Sequence, residues 1–434
     1  MTELGAHGLG GSTDLPIPFT YALIGASWAL TLSFVVVAFA WKSPKLDPDG
    51  RAIALPGWVT RGVDARATRF VGAAAGLAFT ALVAVEAFAG PQDRADNAVP
   101  GVIYVLLWVG LVVVSLLFGP VWRLISPVRA LHRLLCAGLR RPPDRGLIPY
   151  PEGWGYRPAV IGLFAFVWLE LASPDPGSIV AVRNWCLAYL VVTFVGALVC
   201  GEKWCERGDP FEVYSTLASR LSPWSRDRES GAVVLRSPLD NLGSLPIRAG
   251  TVALMATLLG STAFDSFTAF PWWMDLVDSV PSGPTATAVR TLGLLCFVAV
   301  VGLTFRFAAR AAGGVDDTRR RALPGLFAPS LIPIVLGYVF AHYLTYLVEK
   351  GQQTVFLLVG ADGAEVSYVL SENPGVVATG KVAFVVIGHV LGVIAAHDTA
   401  LRVLPRRHRL TGQLTMLLVM VFYTFGGLYL LFGG

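Results

Sequence analysis

Residues 101–118 read Gly101-Val-Ile-Tyr-Val-Leu-Leu-Trp-Val-Gly-Leu-Val-Val-Val-Ser-Leu-Leu-Phe118, without a single charge. Wound as a helix, such a run is about 27 Å long, close to the ~30 Å hydrocarbon core of a bilayer. In lipid every backbone N–H and C=O must be satisfied within the segment, so a helix is its natural form. Comparable runs of roughly 17–25 residues begin near Phe19, Phe70, Gly101, Pro158, Asn184, Ala249, Ala286, Leu326, Lys381 and Gln413. The chain of 434 residues therefore reads as an all-α, polytopic transmembrane bundle of about ten spans. The fourth run is the shortest, closed by Ser173-Pro174-Asp175-Pro176-Gly177.

Composition agrees. The hydrophobic set makes up 54% and charged residues only 15%, against about one quarter charged in soluble domains. This excludes an ordinary soluble enzyme, a disordered chain and a coiled coil. The net charge of +5 does not point to nucleic acid, because the basic residues are confined to short loops between apolar runs. With the N-terminus outside, 29 of the 34 lysines and arginines fall on inner loops 42–69, 122–157, 201–248, 306–325 and 402–412. Such a bias orients the chain in the plasma membrane with both termini outside. The acids divide almost evenly, leaving the outer half near −9 and the inner half near +14. A negative outer face concentrates cations.

Residues 1–18 form an outer N-terminal segment without the apolar core of a signal peptide, and 19–434 form one bundle. Loop 201–248, amphipathic and the longest inner loop, is expected to lie along the membrane surface, where it offers a docking site for a cytoplasmic partner near Trp204 as Trp122 does in its own loop. Five cysteines give no disulfide framework, and the Cys200/Cys205 pair lacks the companions of a metal site.

The runs repeat as helical hairpins, spans 2–3, 4–5 and 6–7. Span two ends Glu86-Ala-Phe-Ala-Gly-Pro91, span four ends Glu170-Leu-Ala-Ser-Pro174, and span six carries Asp265-Ser-Phe-Thr-Ala-Phe-Pro271. Each span that follows the first two ends in Gly-x-x-Trp, Gly119 to Trp122 and Gly201 to Trp204, and then reaches Ser126-Pro127 or Asp209-Pro210. Repeats of this kind are common in membrane transport folds.

Counted from the inner side, Glu86, Glu170, Asp265 and His342 all reach the outer half of the bilayer, with His389 at a similar level on span nine and Glu349 seven residues beyond His342. A charge in hydrocarbon costs about 2.5–3.5 kcal/mol on insertion scales, so groups at one depth are cheaper facing each other or a cation. Two readings follow. In the first, His342, His389, Glu86, Glu170 and Asp265 ligate a divalent metal, with His7 of the outer tail as a further ligand. Mixed imidazole and carboxylate donors suit zinc, manganese or iron. A metal-bound water would then act as nucleophile, with Glu170 or Asp265 as the catalytic base. In the second, the acids belong to an ion-coupled permease for a metal ion or small solute. A third alternative is a structural or assembly membrane protein whose Trp122 and Trp204 loops dock a cytoplasmic partner, and the bland one is polar contacts that merely fix helix packing. His397-Asp398 lies near the inner end of span nine and reads as interfacial, and His132 and His408 lie in basic loops.

The opening His7-Gly-Leu-Gly-Gly-Ser-Thr-Asp-Leu-Pro-Ile-Pro18 and the stretch Ser261-Thr-Ala-Phe-Asp-Ser-Phe267 resemble those of actinobacterial multi-span membrane proteins described as fenitrothion hydrolases. The resemblance implies a metal-dependent, membrane-bound hydrolase of organophosphate-like esters, and brings no ligand set with it. No Gly-x-Ser-x-Gly elbow, His-Glu-x-x-His helix or P-loop occurs, so any catalysis falls to the intramembrane residues.

Overall fold

The computed structural model describes residues 12–361 and 363–433. Among these, eight helices are long and apolar enough to cross a membrane, and nine when one bent pair is counted as a span. In chain order the main helices are α1 (Phe19–Ala40), α2 (Arg66–Ala89), α3 (Val99–Phe118), α4 (Pro127–Gly138), α5 (Arg157–Leu171), α6 (Ile179–Cys200), α7 (Pro210–Ala218) and α8 (Thr251–Thr268). There follow α9 (Pro271–Ser279), α10 (Pro284–Arg310), α11 (Asp317–Val359), α12 (Pro374–Val403) and α13 (Thr411–Phe432). The expected ten spans therefore shrink to eight or nine. The shortfall is α5, whose 15 residues reach only about 22 Å. One face of it is buried, with Leu163 and Phe166 fully so, while Ile161 is 70% exposed. The bent pair is α8 and α9, which turn through 84° at Ala269-Phe270 before Pro271.

All five basic connections meet at one end of the bundle. Strands β1 (Ile53–Ala54), β2 (Trp224–Arg226) and β3 (Val233–Leu235) form a small antiparallel sheet in the order β1-β3-β2, joining the first connection to the third. Arg207 binds Glu152 at 2.8 Å, joining the third to the second. Gly314 of the fourth lies against the ring of His408 in the fifth.

The centre of the molecule is α11, a 43-residue helical run with a 3-10 turn at Ala328–Leu331, whose apolar stretch is mostly buried. Its tightest neighbour is α12. Gly337 of α11 and Gly388 of α12 bring the two backbones together, since a methyl group on either would come within 2.6 Å of a carbonyl oxygen on the other helix. Small residues allow such contacts where no hydrophobic force drives helices together.

The sequence repeat recurs as a repeated backbone path. α3 and α6 both end at a left-handed glycine, Gly119 at φ 86° and Gly201 at φ 68°. A short turn beginning near the tryptophan follows, and then a helix with proline at its first position. Ser126 caps α4 through Arg129 N, and Asp209 caps α7 through Phe211 N and Glu212 N. The two capped helices are exchanged. α4 packs on α2 of its own hairpin and on α6 of the other, and α7 packs on α5 of its own and on α3 of the other.

Candidate functional site

The residues predicted from depth fall into two groups. Asp265, near the C-terminus of α8, faces His342 of α11, with Oδ2 to Nε2 at 2.9 Å and both residues 7% exposed. Ser266, the next residue on α8, brings its Oγ to 3.1 Å from the other ring nitrogen, Nδ1. The Tyr343 hydroxyl donates to the same Asp265 oxygen at 2.7 Å. With Asp265 ionised, Nε2 carries the proton and donates it to the carboxylate, which leaves Nδ1 as an acceptor for the single Ser266 hydroxyl proton, whose other acceptor is the carbonyl oxygen of Thr262 at 3.3 Å. Glu170 of α5 lies within electrostatic range of Asp265, and its buried Oε2 has no hydrogen-bond partner. Three of the expected residues thus come together.

The others do not join them through any described contact. Glu86 on α2 is half-buried, with Oε1 3.5 Å from the backbone N–H of Ala98. His389 on α12 is fully buried, holds Val385 O at 2.8 Å through Nδ1 and sets its ring edgewise on Tyr338. Glu349 receives the backbone N–H and hydroxyl of Ser371. His7 lies outside the described residues. Among the described residues no three His, Cys, Asp or Glu side chains are grouped so as to hold a metal ion. A shared level says nothing about azimuth, because each residue along a helix turns by about 100°. Asp398 ties α12 to the first basic connection, accepting from Trp41 Nε1, Lys45 N and Leu46 N and pairing with Arg402 at 2.6 Å.

The expectation for loop 201–248 is overturned in part. Every residue of α7 is buried, so this segment is packed into the protein at the basic end instead of lying free along a membrane surface. The tryptophans offered for docking are also used internally. Trp122 donates Nε1 to Asp209 Oδ2 at 3.0 Å, and Trp204 packs against Gly196 and Gly208. Asp209 also accepts from Tyr189 OH at 3.0 Å. Glu212 is gripped by Arg129 at 2.7 Å and reached by Arg123 at 3.3 Å. Ser215 and Ser115 share a hydrogen bond at 2.8 Å, and Tyr214 stacks on Trp108 with ring centroids 4.8 Å apart. Burial and the neighbouring charge of Glu212 push the Asp209 carboxyl up to about 7. Burial likewise raises Glu212, against the pull of Arg129 and Arg123.

These groups make a polar file that the sequence reading did not find. Glu170 lies within electrostatic range of Tyr214, whose hydroxyl is buried without a partner. Tyr214 shares α7 with Ser215, Glu212 and the capping Asp209, and Glu212 meets exposed Arg123 at the basic end. Toward the opposite end, Glu170 lies within range of Tyr104 and Tyr346. Both tyrosines line a cavity of about 120 Å³ together with Arg94, Asn97, Lys350 and Thr354. They belong to two π-helical stretches, Val102–Gly110 and Tyr346–Lys350, a winding found frequently at functional sites. One signal for α7 was present in the sequence. The nine residues after Asp209 contain one charge, Glu212, in a loop otherwise rich in arginine.

Comparison with known protein families, with characterised proteins and with solved structures finds no match to this chain.

Proposed function

We propose that this multi-span membrane protein is an ion-coupled permease for a small solute, with Asp265, His342 and Glu170 as its coupling centre. The observation that carries this reading is the polar file from the acidic-end cavity, past Glu170, to Arg123 at the basic end. Ionisable residues inside a membrane bundle mark ion pathways and proton relays. The unpartnered Glu170 oxygen and Tyr214 hydroxyl are places where a buried water or a moving proton finds a partner. The bent α8/α9 pair and the exchanged hairpins are features that transporters use around a central site. The test is flux in liposomes loaded with a pH-sensitive dye, under imposed proton and potential gradients, across a panel of metal ions and small solutes. Wild type should carry protons with one of them and Glu170→Gln should not. Absence of any flux from the wild-type protein under either gradient would sink the reading.

A hydrolase is the second reading, favoured by the Ser266–His342–Asp265 chain of hydrogen bonds. That order of groups is the one in which an imidazole takes a serine proton while a carboxylate steadies the imidazolium. It accords with the organophosphate hydrolase that the resemblance implies. Asp265 and His342 are also donor types that zinc, manganese or iron accept. Turnover of a nitrophenyl phosphotriester by the purified protein, lost in Ser266→Ala or on chelation, would establish it over the permease.

A further inference from the structure

At the basic end, Arg123, Arg207, Arg220 and Arg248 line one cavity of about 90 Å³. They converge from separate places in the chain: after α3, before and after α7, and before α8. Carboxylates do not balance them. Glu152 serves Arg207 at 2.8 Å and Arg248 at 3.6 Å, and its own side chain is 67% exposed. Glu212 meets Arg123 at 3.3 Å but is held in a two-pronged grip by Arg129. Among the described residues the Arg220 guanidinium has one hydrogen-bond partner, the Ser244 hydroxyl, at 2.6 Å. Glu206, the one acid on the cavity wall, is exposed.

The lining also contains polar atoms with nothing to bond. Arg207 Nε, Arg220 Nε and Thr216 Oγ1 are all buried and lack a hydrogen-bond partner. Buried donors are almost always satisfied, and a cluster left open calls for an acceptor. Burial and the charge of Arg123 push the Arg220 guanidinium down to about 10, as expected where like charges share a site without a counter-ion.

We propose that this cavity binds a phosphate-type oxyanion. Arginine is suited to the task because its planar fork matches the oxygens of such a group and holds them with charge-assisted hydrogen bonds. The volume admits several waters, or one tetrahedral oxyanion in their place. An anion here supplies acceptors to the open donors and relieves the repulsion between Arg123 and Arg220. It also joins the C-terminal end of α7 to the start of α8. The same chemistry is offered by a free phosphate compound and by the headgroup of an anionic lipid, for which basic pockets at helix ends are a known setting.

The test uses the full-length protein in nanodiscs at low ionic strength. One arm titrates inorganic phosphate into phosphatidylcholine nanodiscs and follows the thermal unfolding midpoint. The other replaces part of the lipid with phosphatidylglycerol and omits phosphate. A saturable rise in the first arm supports a soluble oxyanion. A rise confined to the second supports a lipid headgroup. Arg220→Gln should weaken the response about tenfold, the loss of a hydrogen bond to a charged group. Arg228→Gln removes the same charge from an exposed pair with Asp49 and should leave the response intact. Thr216→Val and Arg248→Gln decide the matter if Arg220→Gln does not fold. No response in either arm, or equal loss in Arg228→Gln, overturns the proposal.

Discussion

His342 is held at both ring nitrogens, by Asp265 at 2.9 Å and Ser266 at 3.1 Å. Removing the ring leaves a buried carboxylate with one donor fewer, which costs about 2 kcal/mol. His342→Ala should therefore lower the unfolding midpoint even with no ligand added, and chelation should not change that of the wild type. A stoichiometric divalent metal in the wild type that disappears in His342→Ala would reverse this expectation and restore the metal centre. Asp209 gives a second residue-level outcome. Its carboxyl is raised to about 7 in the folded protein, so the folded state binds the proton more tightly than the unfolded chain does. Its contribution to stability is complete below the usual carboxylate range and is lost as pH rises toward 7. Asp209→Asn keeps a capping side chain and removes the titration. The difference between wild-type and variant unfolding curves should change between about pH 4 and 7 and be flat on either side.

At the scale of elements, the two left-handed glycines invite different costs. An alanine at Gly119 meets no atom within 4 Å, so only backbone strain opposes it, about 1–3 kcal/mol. At Gly201 the new methyl would also lie 2.6 Å from the carbonyl oxygen of Asp144. Gly201→Ala should thus be clearly less stable than Gly119→Ala when the two are compared by thermal unfolding in one detergent. Much of this level was legible in the sequence. The Gly-x-x-Trp repeats, the Ser126-Pro127 and Asp209-Pro210 caps and the alternation of loops all have local causes, and each recurs in the structure. The depth of Asp265 and His342 followed from counting residues. What could not be read was rotation and packing. Nothing local distinguishes the azimuth of His389 from that of His342, and the packing of α7 into the protein depends on partners, Ser115, Trp122 and Tyr189, that are distant in sequence.

For the molecule as a whole, the basic connections share one end, and the positive-inside rule turns that into an orientation. A tag placed after Phe432 should be reached by an impermeant reagent from outside intact cells, and one inserted at exposed Gly231 only after permeabilisation. The reverse pattern would invert the molecule, and the cavity beside Tyr104 and Tyr346 would then face the cytoplasm.

The exchange of α4 and α7 between hairpins also has a consequence in time. Arg129 is buried against Glu202 and Glu212, which leave the ribosome after an entire further hairpin has been made. Until then a guanidinium sits at the membrane without its counter-charges, and α4 has no α6 to rest on. The first hairpin therefore cannot reach its final form when it is inserted. It must wait, loosely placed, for the second, so that the two halves of this repeat mature together or not at all.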